Sequence, residues 1–429
     1  MKVNQPRQRF FALFALVVAG ETIFSLPFHV ARYFRPSVLE GLALSNAELG
    51  DVFAVYGVTA MLSYFPGGAI ADRFRASSLM CLSLVATAAG GIYMATLPAR
   101  VELAWLYGYW GVTTIFLFWA AMIRATRNLA GVHAQGRAFG ILDGGRGLAA
   151  AVAASVAVQI FAHSVVGDPH AITELGRRTG LRAVVLFYTA ATLGSAWLVW
   201  RYVPRDDHRG DGQTRARANA VAVLGRRESW LQALVVVCAY CGYKGLDNYA
   251  LYAVEALGLN EVDAARFTAA SAYVRPVAAL AAGLVADRLR ASTVVASLFL
   301  ALAAAYVVLG VIVPTPALTG IVYADLLVTF FGVFGLRGVY FALLEETGVP
   351  HRSTGSAVGL ISLVGFTPDI FFAPVAGRLL DAAPGITGHQ HYFVFLAGIA
   401  IVGLAAAAAL FRSRDVRVSP TSSSTAPAR

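Results

Sequence analysis

Tyr240, Lys244 and Asp247 stand at i, i+4 and i+7 within a long apolar run, so a helix there carries all three on one face. The chemistry open to such a face is ionic. A lysine is a compact cation that can release its proton when buried, and a carboxylate in a partly dry setting can take one up. Lys244 is one of only two lysines in the chain, the other being Lys2. Isolated charges recur in other apolar runs: Glu21, Arg32, Arg124, Asp143, Arg146, Arg275, Asp325, Arg337 and Asp369. A charge at the centre of a membrane-spanning helix costs about 2.5–3.5 kcal/mol on insertion scales, so those that persist face a cavity or a partner.

A rise of 1.5 Å per residue ranks these groups by depth. Glu21, Arg146, Lys244, Asp247, Arg275 and Asp369 fall in the middle third of their runs. Arg32 and Asp325 lie nearer one face, Arg124 and Arg337 nearer the other, where gates or headgroup contacts are expected. The central group divides by charge. Lys244, Arg275 and Arg146, with Tyr240, are the expected contacts of an anion, and Glu21, Asp247 and Asp369 are the expected proton carriers. Two plainer readings stay open. Lys244 and Asp247 at i, i+3 can simply neutralise one another, and Arg146 can do the same for Asp143 within "GRAFGILDGGRGL". In that stretch Gly136, Gly140 and Gly144 form a stripe that permits close helix packing. Pro368 directly precedes Asp369 and places a kink beside it.

The elements that must position these residues are helices in a bilayer. Of 429 residues, 58% are hydrophobic and only 14% charged, against about 25% charged in soluble domains, and the mean hydropathy is +0.66. Twelve apolar runs are long enough to span a hydrocarbon core. They cover 10–33, 48–70, 78–97, 102–126, 137–163, 182–202, 229–254, 263–286, 293–313, 317–344, 355–380 and 392–411. The third, sixth, ninth and twelfth carry no charge in their interiors. The first continues through Pro27 with no clear small-residue cleavage site, so it reads as a span and not a signal peptide. Most of the 34 Lys and Arg residues fall in loops on one side, which sets both termini in the cytoplasm of a cell or inner membrane. The same excess accounts for the net charge of +10 without a nucleic-acid partner. Cys81, Cys238 and Cys241 all lie in spans, where packing is their expected role.

The chain also repeats itself. "GGAIADRFRASS" from Gly67 returns as "AGLVADRLRAST" from Ala282, with Asp72 and Asp287 215 positions apart. "LSNAEL" and "LNEVDA", each with a capping residue (Ser45, Asn260) before a helix start, keep that offset. "GRAFGI" from Gly136 and "GSAVGL" from Gly355 are offset by 219. The expected architecture is all-α: a six-helix bundle over 1–202, a cytoplasmic linker over 203–228, a second parallel bundle over 229–412, and a disordered tail over 413–429. In such folds the binding site lies near mid-membrane between the halves.

These features resemble the major facilitator superfamily. Its signature, roughly G-x-L-a-D-R-x-G-R-K after the second helix, is matched by Gly68, Ile70, Ala71, Asp72 and Arg73, and again by Gly283, Val285, Ala286, Asp287 and Arg288. Both copies depart from it alike: Arg75 or Arg290 replaces the second glycine, and Ala-Ser follows. The resemblance covers about residues 9 to 412 and implies a twelve-helix fold of two pseudo-symmetric bundles, with helices three, six, nine and twelve toward lipid. It also implies a cytoplasmic gate in which Asp72 faces the start of helix eleven near Ser353 to Gly355, and Asp287 the start of helix five near Gly136 and Arg137. Asp72, Arg73, Asp287, Arg288, Arg124 and Arg337 are the expected gating residues. The arginines alone are also explained as topology signals.

The function expected is secondary transport of a small polar solute, an organic anion by the cationic cluster, with protons as the candidate coupling ion. "RGVYFALLEE" and "GLISLVGFTPDIF" are similar to segments of anion-handling branches of the superfamily. Efflux of a neutral or cationic compound in exchange for protons is the alternative, because acidic and basic embedded residues nearly balance. An enzyme is not expected: no phosphate-binding loop appears, and of eight histidines only His29 and His163 fall in spans. His389 and His391 lack an evident third ligand, so no metal or other cofactor is expected. Glu345 and Glu346 read as gate or surface charges. The expected partners are the solute, the bilayer and protons, with the chain a monomer.

Overall fold

In a computed structural model of the chain, the described residues are 6–130, 135–165, 172–204, 225, 227–340, 342–343, 361–383 and 385–418. Among them the helices form twelve rods. The N-terminal half holds α1 (Pro6–Thr22, continued by a π-helical segment Ser25–His29 and the turn Val30–Tyr33), α2 (Asn46–Arg73) and α3 (Ala76–Met94). It is completed by α4 (Arg100–Gly111, then a π segment Val112–Trp119 and Ala120–Ala130), α5 (Gln135–Ser164) and α6 (Glu174–Tyr202). The C-terminal half holds α7 (Arg227–Gly245, a 3₁₀ turn Leu246–Asn248, then Tyr249–Glu255), α8 (Glu261–Ser271 and Val274–Arg288) and α9 (Ala291–Val311). After these come α10 (Thr319–Val339), α11 (Pro368–Ala382) and α12 (Ile386–Val418). A short helix, Arg35–Gly41, crosses between α1 and α2.

Among the described residues ten helices are long and apolar enough to cross a membrane, and α2 makes an eleventh as a span bent by 52°. The bend falls at Pro66, which has no N–H to give the helix ladder and crowds the preceding turn. The twelfth expected span, α7, lies outside this set; its apolar run is broken by Lys244, Asp247 and the 3₁₀ turn. Both repeated caps form as expected. Ser45 Oγ accepts from Glu48 N (3.2 Å) while Glu48 Oε2 accepts from Ser45 N (3.0 Å), and Asn260 Oδ1 accepts from Asp263 N (2.8 Å). α12 runs on to Val418, six residues into the segment expected as a tail, because a helix of charged residues need not stop at the membrane surface.

The halves meet along α2 with α11 and along α5 with α8. At the end away from the termini these pairs touch closely. A Cβ built on Gly50 would strike the backbone of Ala373, one on Gly57 the backbone of Asp369, and one on Gly377 the backbone of Asn46. Toward the termini, among the described residues, the same faces stand apart, and Cβ atoms on Gly68, Gly140, Gly144 and Gly283 would meet nothing within 4 Å. The expected packing stripe of Gly140 and Gly144 is therefore not packed. It lines the opening between the bundles, and the contacts fall instead on Gly145 against Val17 and Gly147 against Arg275. Gly57→Ala is expected to disfavour this closed arrangement by about 1–3 kcal/mol, since a methyl group cannot share space with backbone, shifting the conformational balance about 5–150-fold. Faster hydrogen exchange over residues 46–60 and 368–382 is the measurement, and an unchanged rate rules it out.

Candidate substrate site

Nine of the embedded charges, all but Arg124 and Asp325, gather between the halves in two neighbouring groups, one about Glu21 and one about Asp247. On the N-terminal side Glu21 of α1 is the hub. Its Oε2 lies 3.1 Å from Arg146 Nε of α5, and its Oε1 lies 3.3 Å from His29 Nε2 and 3.7 Å from Arg275 Nη1 of α8. Arg275 also reaches Asp143 Oδ1 at 3.1 Å. On the C-terminal side Lys244 Nζ sits 3.3 Å from Asp247 Oδ2 and 3.4 Å from Asp369 Oδ1 of α11. Tyr240 Oη donates to both oxygens of Asp369, at 3.0 and 3.1 Å. Arg32 Nε of α1 donates to Asp247 Oδ1, and its Nη1 donates to Tyr243 Oη at 2.8 Å.

The local folds explain these meetings. The 3₁₀ turn Leu246–Asn248 interrupts α7 just after Lys244 and turns Asp247 toward α1. Pro368 opens α11, which leaves Asp369 in the first turn against Tyr240. Aromatic faces complete the walls. Lys244 Nζ stands 4.2 Å from the centroid of Phe28 and 5.3 Å from that of Phe53. The Arg146 guanidinium lies 5.7 Å from Phe24 and 5.9 Å from Trp119. Tyr243 carries Arg32 at 4.3 Å and Arg337 of α10 at 3.9 Å from its ring centre. Such contacts favour cations wherever water is thin.

The buried charges of this site each have an opposite partner, as the cost of burying an ion demands. Glu21, Arg32, Lys244, Asp247 and Arg275 are all under 10% exposed. The balance is nevertheless uneven. Arg32, Arg146, Lys244, Arg275 and Arg337 face Glu21, Asp143, Asp247 and Asp369. Among the described residues Arg337 makes no ion pair, and its Nε is buried without a hydrogen-bond partner.

Beyond this layer, away from the termini, polar contacts between the halves close the path. Arg177 of α6 reaches Glu261 at the start of α8 at 2.7 Å and Glu40 at 2.7 Å, and Ser37 Oγ donates to Glu261. Asp381 of α11 accepts from the backbone N–H groups of Asn46 (3.1 Å) and Ala47 (2.7 Å) at the first turn of α2, where an anion is favoured by the helix dipole. Arg378 pairs with Asp51 at 2.9 Å.

The structure brings together all seven residues expected at the centre: Lys244, Arg275, Arg146, Tyr240, Glu21, Asp247 and Asp369. It also decides one open pairing. Arg146 goes to Glu21, and Asp143 is served by Arg275. Arg32 is a correction: expected near a face, it is buried in the network on Asp247, because α7 is broken where α1 passes it. His29 was set aside with the other histidines, yet it lies on Glu21. A signal for both was present in the repeat. Arg32 and Asp247 are 215 residues apart, and His29 and Lys244 share that offset, so each pair occupies matching places in the two halves.

The expected gates are less concentrated. Arg124 is bound to the last carbonyls of α2, donating to Ala71 O and to Phe74 O (2.7 Å), so it ties α4 to α2 within one half. Arg337 lies on Tyr243 and belongs to the central site. Arg73 and Arg288 end α2 and α8, each one residue after Asp72 or Asp287. The partners expected for the aspartates, Ser353 to Gly355 and the Gly136–Arg137 side chains, lie outside the described residues, as do Glu345 and Glu346. His389 Nε2 lies 3.0 Å from Glu255 Oε2, and no group of three metal-ligating side chains occurs among the described residues.

A bilayer-spanning chain of two six-helix bundles with a charged site between them defines a membrane transporter. The sequence matches the Major Facilitator Superfamily over residues 10–374, and the chain belongs to that family. Two similar proteins of Escherichia coli (strain K12) are the inner membrane protein YihN, 26% identical over 91% of this chain and 93% of that one, and the inner membrane protein YqcE, 24% identical over 94% of each. Among solved structures, a bacterial homologue of the human lysosomal transporter Spinster, inward-facing and occupied, aligns with a TM-score of 0.76 at 14% identity. That alignment covers 97% of this chain and all of the other. A mutant of the nucleoside transporter NupG aligns with a TM-score of 0.69 at 14% identity, over 94% of this chain and all of that one.

Proposed function

We propose that this secondary transporter moves a small organic anion by alternating access, in exchange or together with protons. The observation that carries this reading is the charge of the central site: cations from α1, α5, α7, α8 and α10 converge on one carboxylate fewer than their own number. An anionic solute fits that excess at Arg337 and can take over a carboxylate's partners at Arg146, Arg275 and Lys244, with Tyr240 beside them. The halves then rock about the site. By the distribution of Lys and Arg, the termini side is cytoplasmic, so the geometry described is closed outside and open inside. Each chain holds a complete site, which suits a monomer in the inner membrane.

The three central carboxylates differ in how firmly they are held. Glu21 faces two arginines, and Asp247 faces an arginine and a lysine. Asp369 faces Lys244 alone among the described cations, at 3.4 Å, with Tyr240 as its other partner. It is the carboxylate best placed to accept a proton and so release Lys244 to the solute. Asp369→Asn is expected to abolish accumulation driven by a pH gradient while solute exchange continues.

Purified protein in liposomes, offered separate radiolabelled carboxylates, sugar acids and phosphate esters under a pH gradient, tests the reading. Saturable uptake of one of these anions is expected. Proton-driven movement of neutral or cationic compounds with no anion moved would establish efflux instead, and binding without flux would make the chain a receptor.

A further inference from the structure

We propose that His29 is the proton-binding site of the N-terminal half and that its charge competes with Arg275 for Glu21. This rests on the proton-coupled reading above and adds a second acceptor to it.

The ring is placed by an irregular helix. At 3.6 residues per turn, the eight steps from Glu21 to His29 overshoot two full turns by about 80°. The π segment Ser25–His29 winds more slowly and removes most of that offset, and π segments inside helices are frequent at functional sites. As a result His29 Nε2 reaches Glu21 Oε1 at 3.3 Å. The ring is only 2% exposed.

The surroundings satisfy either charge state. With Nε2–H donated to Glu21, Nδ1 is the acceptor of the neutral ring, and Ser25 Oγ lies 3.3 Å away to donate to it. When a proton from water adds at Nδ1, the new N–H donates to Ser25 Oγ. The hydroxyl proton then turns to the Glu21 carbonyl oxygen, 3.4 Å away. No other bond is made or broken, and no polar atom loses its partner. A histidine held this way can change charge without disrupting its neighbours.

Its neighbours say what the charge would do. On α1 it faces Glu21, Ser25, Arg32 and Tyr33, and Tyr188 of α6 lies 6.0 Å away, ring to ring. Arg275 approaches from α8 and Arg146 reaches the same carboxylate from α5, while α3 presents Gly91 to the π segment at Leu26. Protonation gives Glu21 a third full cation. Of the three, Arg275 is the most distant, at 3.7 Å, and the one that comes from the opposite half. A proton on His29 thus weakens a link between the bundles and frees an arginine for the anion. His29 shares the repeat position of Lys244, so each half carries one titratable unit: His29 with Glu21, and Lys244 with Asp369.

Nitrogen NMR of the full chain in nanodiscs, with labelled histidine and the His29 signal assigned through His29→Gln, tests the site without any solute. A second N–H is expected to appear reversibly on His29 between about pH 5 and 8, and to be absent over that range in Glu21→Gln and in Ser25→Ala. A ring that stays neutral throughout in the unchanged chain, or that gains the second N–H in both variants as it does in the unchanged chain, overturns the proposal. Spin labels at Leu175→Cys and Val313→Cys, with the native cysteines replaced by alanine, report separation of the halves. Acidification is expected to widen the distance in the otherwise unchanged chain and not with His29→Gln. If His29 protonates but no anion is carried, the transport reading fails and the proton site stands. If anions are carried and the ring never protonates, only the proton site fails.

Discussion

Arg275→Ala is expected to abolish anion accumulation while leaving a folded protein in the membrane. Among the described residues Arg275 is the buried cation that crosses from the C-terminal half to carboxylates of the N-terminal half, 3.1 Å from Asp143 and 3.7 Å from Glu21. Its removal strands neither. Glu21 keeps Arg146 and His29, and the Asp143 side chain is 46% exposed in the opening, where water replaces the guanidinium. Stability should therefore change little. The solute has no such substitute: losing a buried charged contact costs about 2–5 kcal/mol, roughly 30-fold to several-thousand-fold in affinity. Arg275→Lys should recover only part of this, because Arg275 reaches Glu21 and Asp143 through separate guanidinium nitrogens, and a compact ammonium lacks the planar fork that spans them. Uptake into proteoliposomes, read beside the thermal midpoint in detergent, separates the two effects. Normal uptake in Arg275→Ala would remove it from the site.

How much of this was legible in the chain depends on which kind of signal each residue left. Glu21, Arg146, Lys244, Asp247, Arg275 and Asp369 could be singled out because insertion into hydrocarbon is costly at mid-span, so type and depth alone marked them. Ser45 and Asn260 were legible for a local reason, since a cap acts within four residues. The paired motif around Asp72 and Asp287 set the two halves in register. Partner choice was not legible. Arg146 and Asp143 have the spacing of an intrahelical pair, yet they part because Glu21 and Arg275 arrive from other helices, and a one-dimensional spacing holds no information about that. Arg32 and His29 were misjudged through the assumption of regular helices. A π segment in α1 and a 3₁₀ turn in α7 change both depth and direction, and neither has a composition that announces it. Arg337 was placed near a face by counting, while its long stem carries the guanidinium back to Tyr243.

The second large effect concerns Arg32 and Asp247. Asp247→Ala is expected to destabilise the protein by about 3–5 kcal/mol, the cost of leaving a buried ion without its counter-charge. Arg32 is 8% exposed and has Tyr243 as its remaining partner, whereas Lys244 keeps Asp369. Arg32→Leu should do similar harm from the other side. The double variant, Arg32→Leu with Asp247→Leu, is expected to regain most of the lost stability, because removing both members of a buried pair is often neutral or better. Transport should not return. The pair joins α1 to α7 across the halves at matching positions of the repeat, and a leucine contact there has no charge to exchange when the bundles move apart. Thermal midpoints of the two single variants and the double variant form a cycle whose coupling energy isolates the pair, and uptake by the double variant supplies the functional arm. Stability losses that simply add would show that the ions do not interact strongly in the membrane. A stable double variant that still accumulates solute would show that this contact holds the halves together without taking part in their motion.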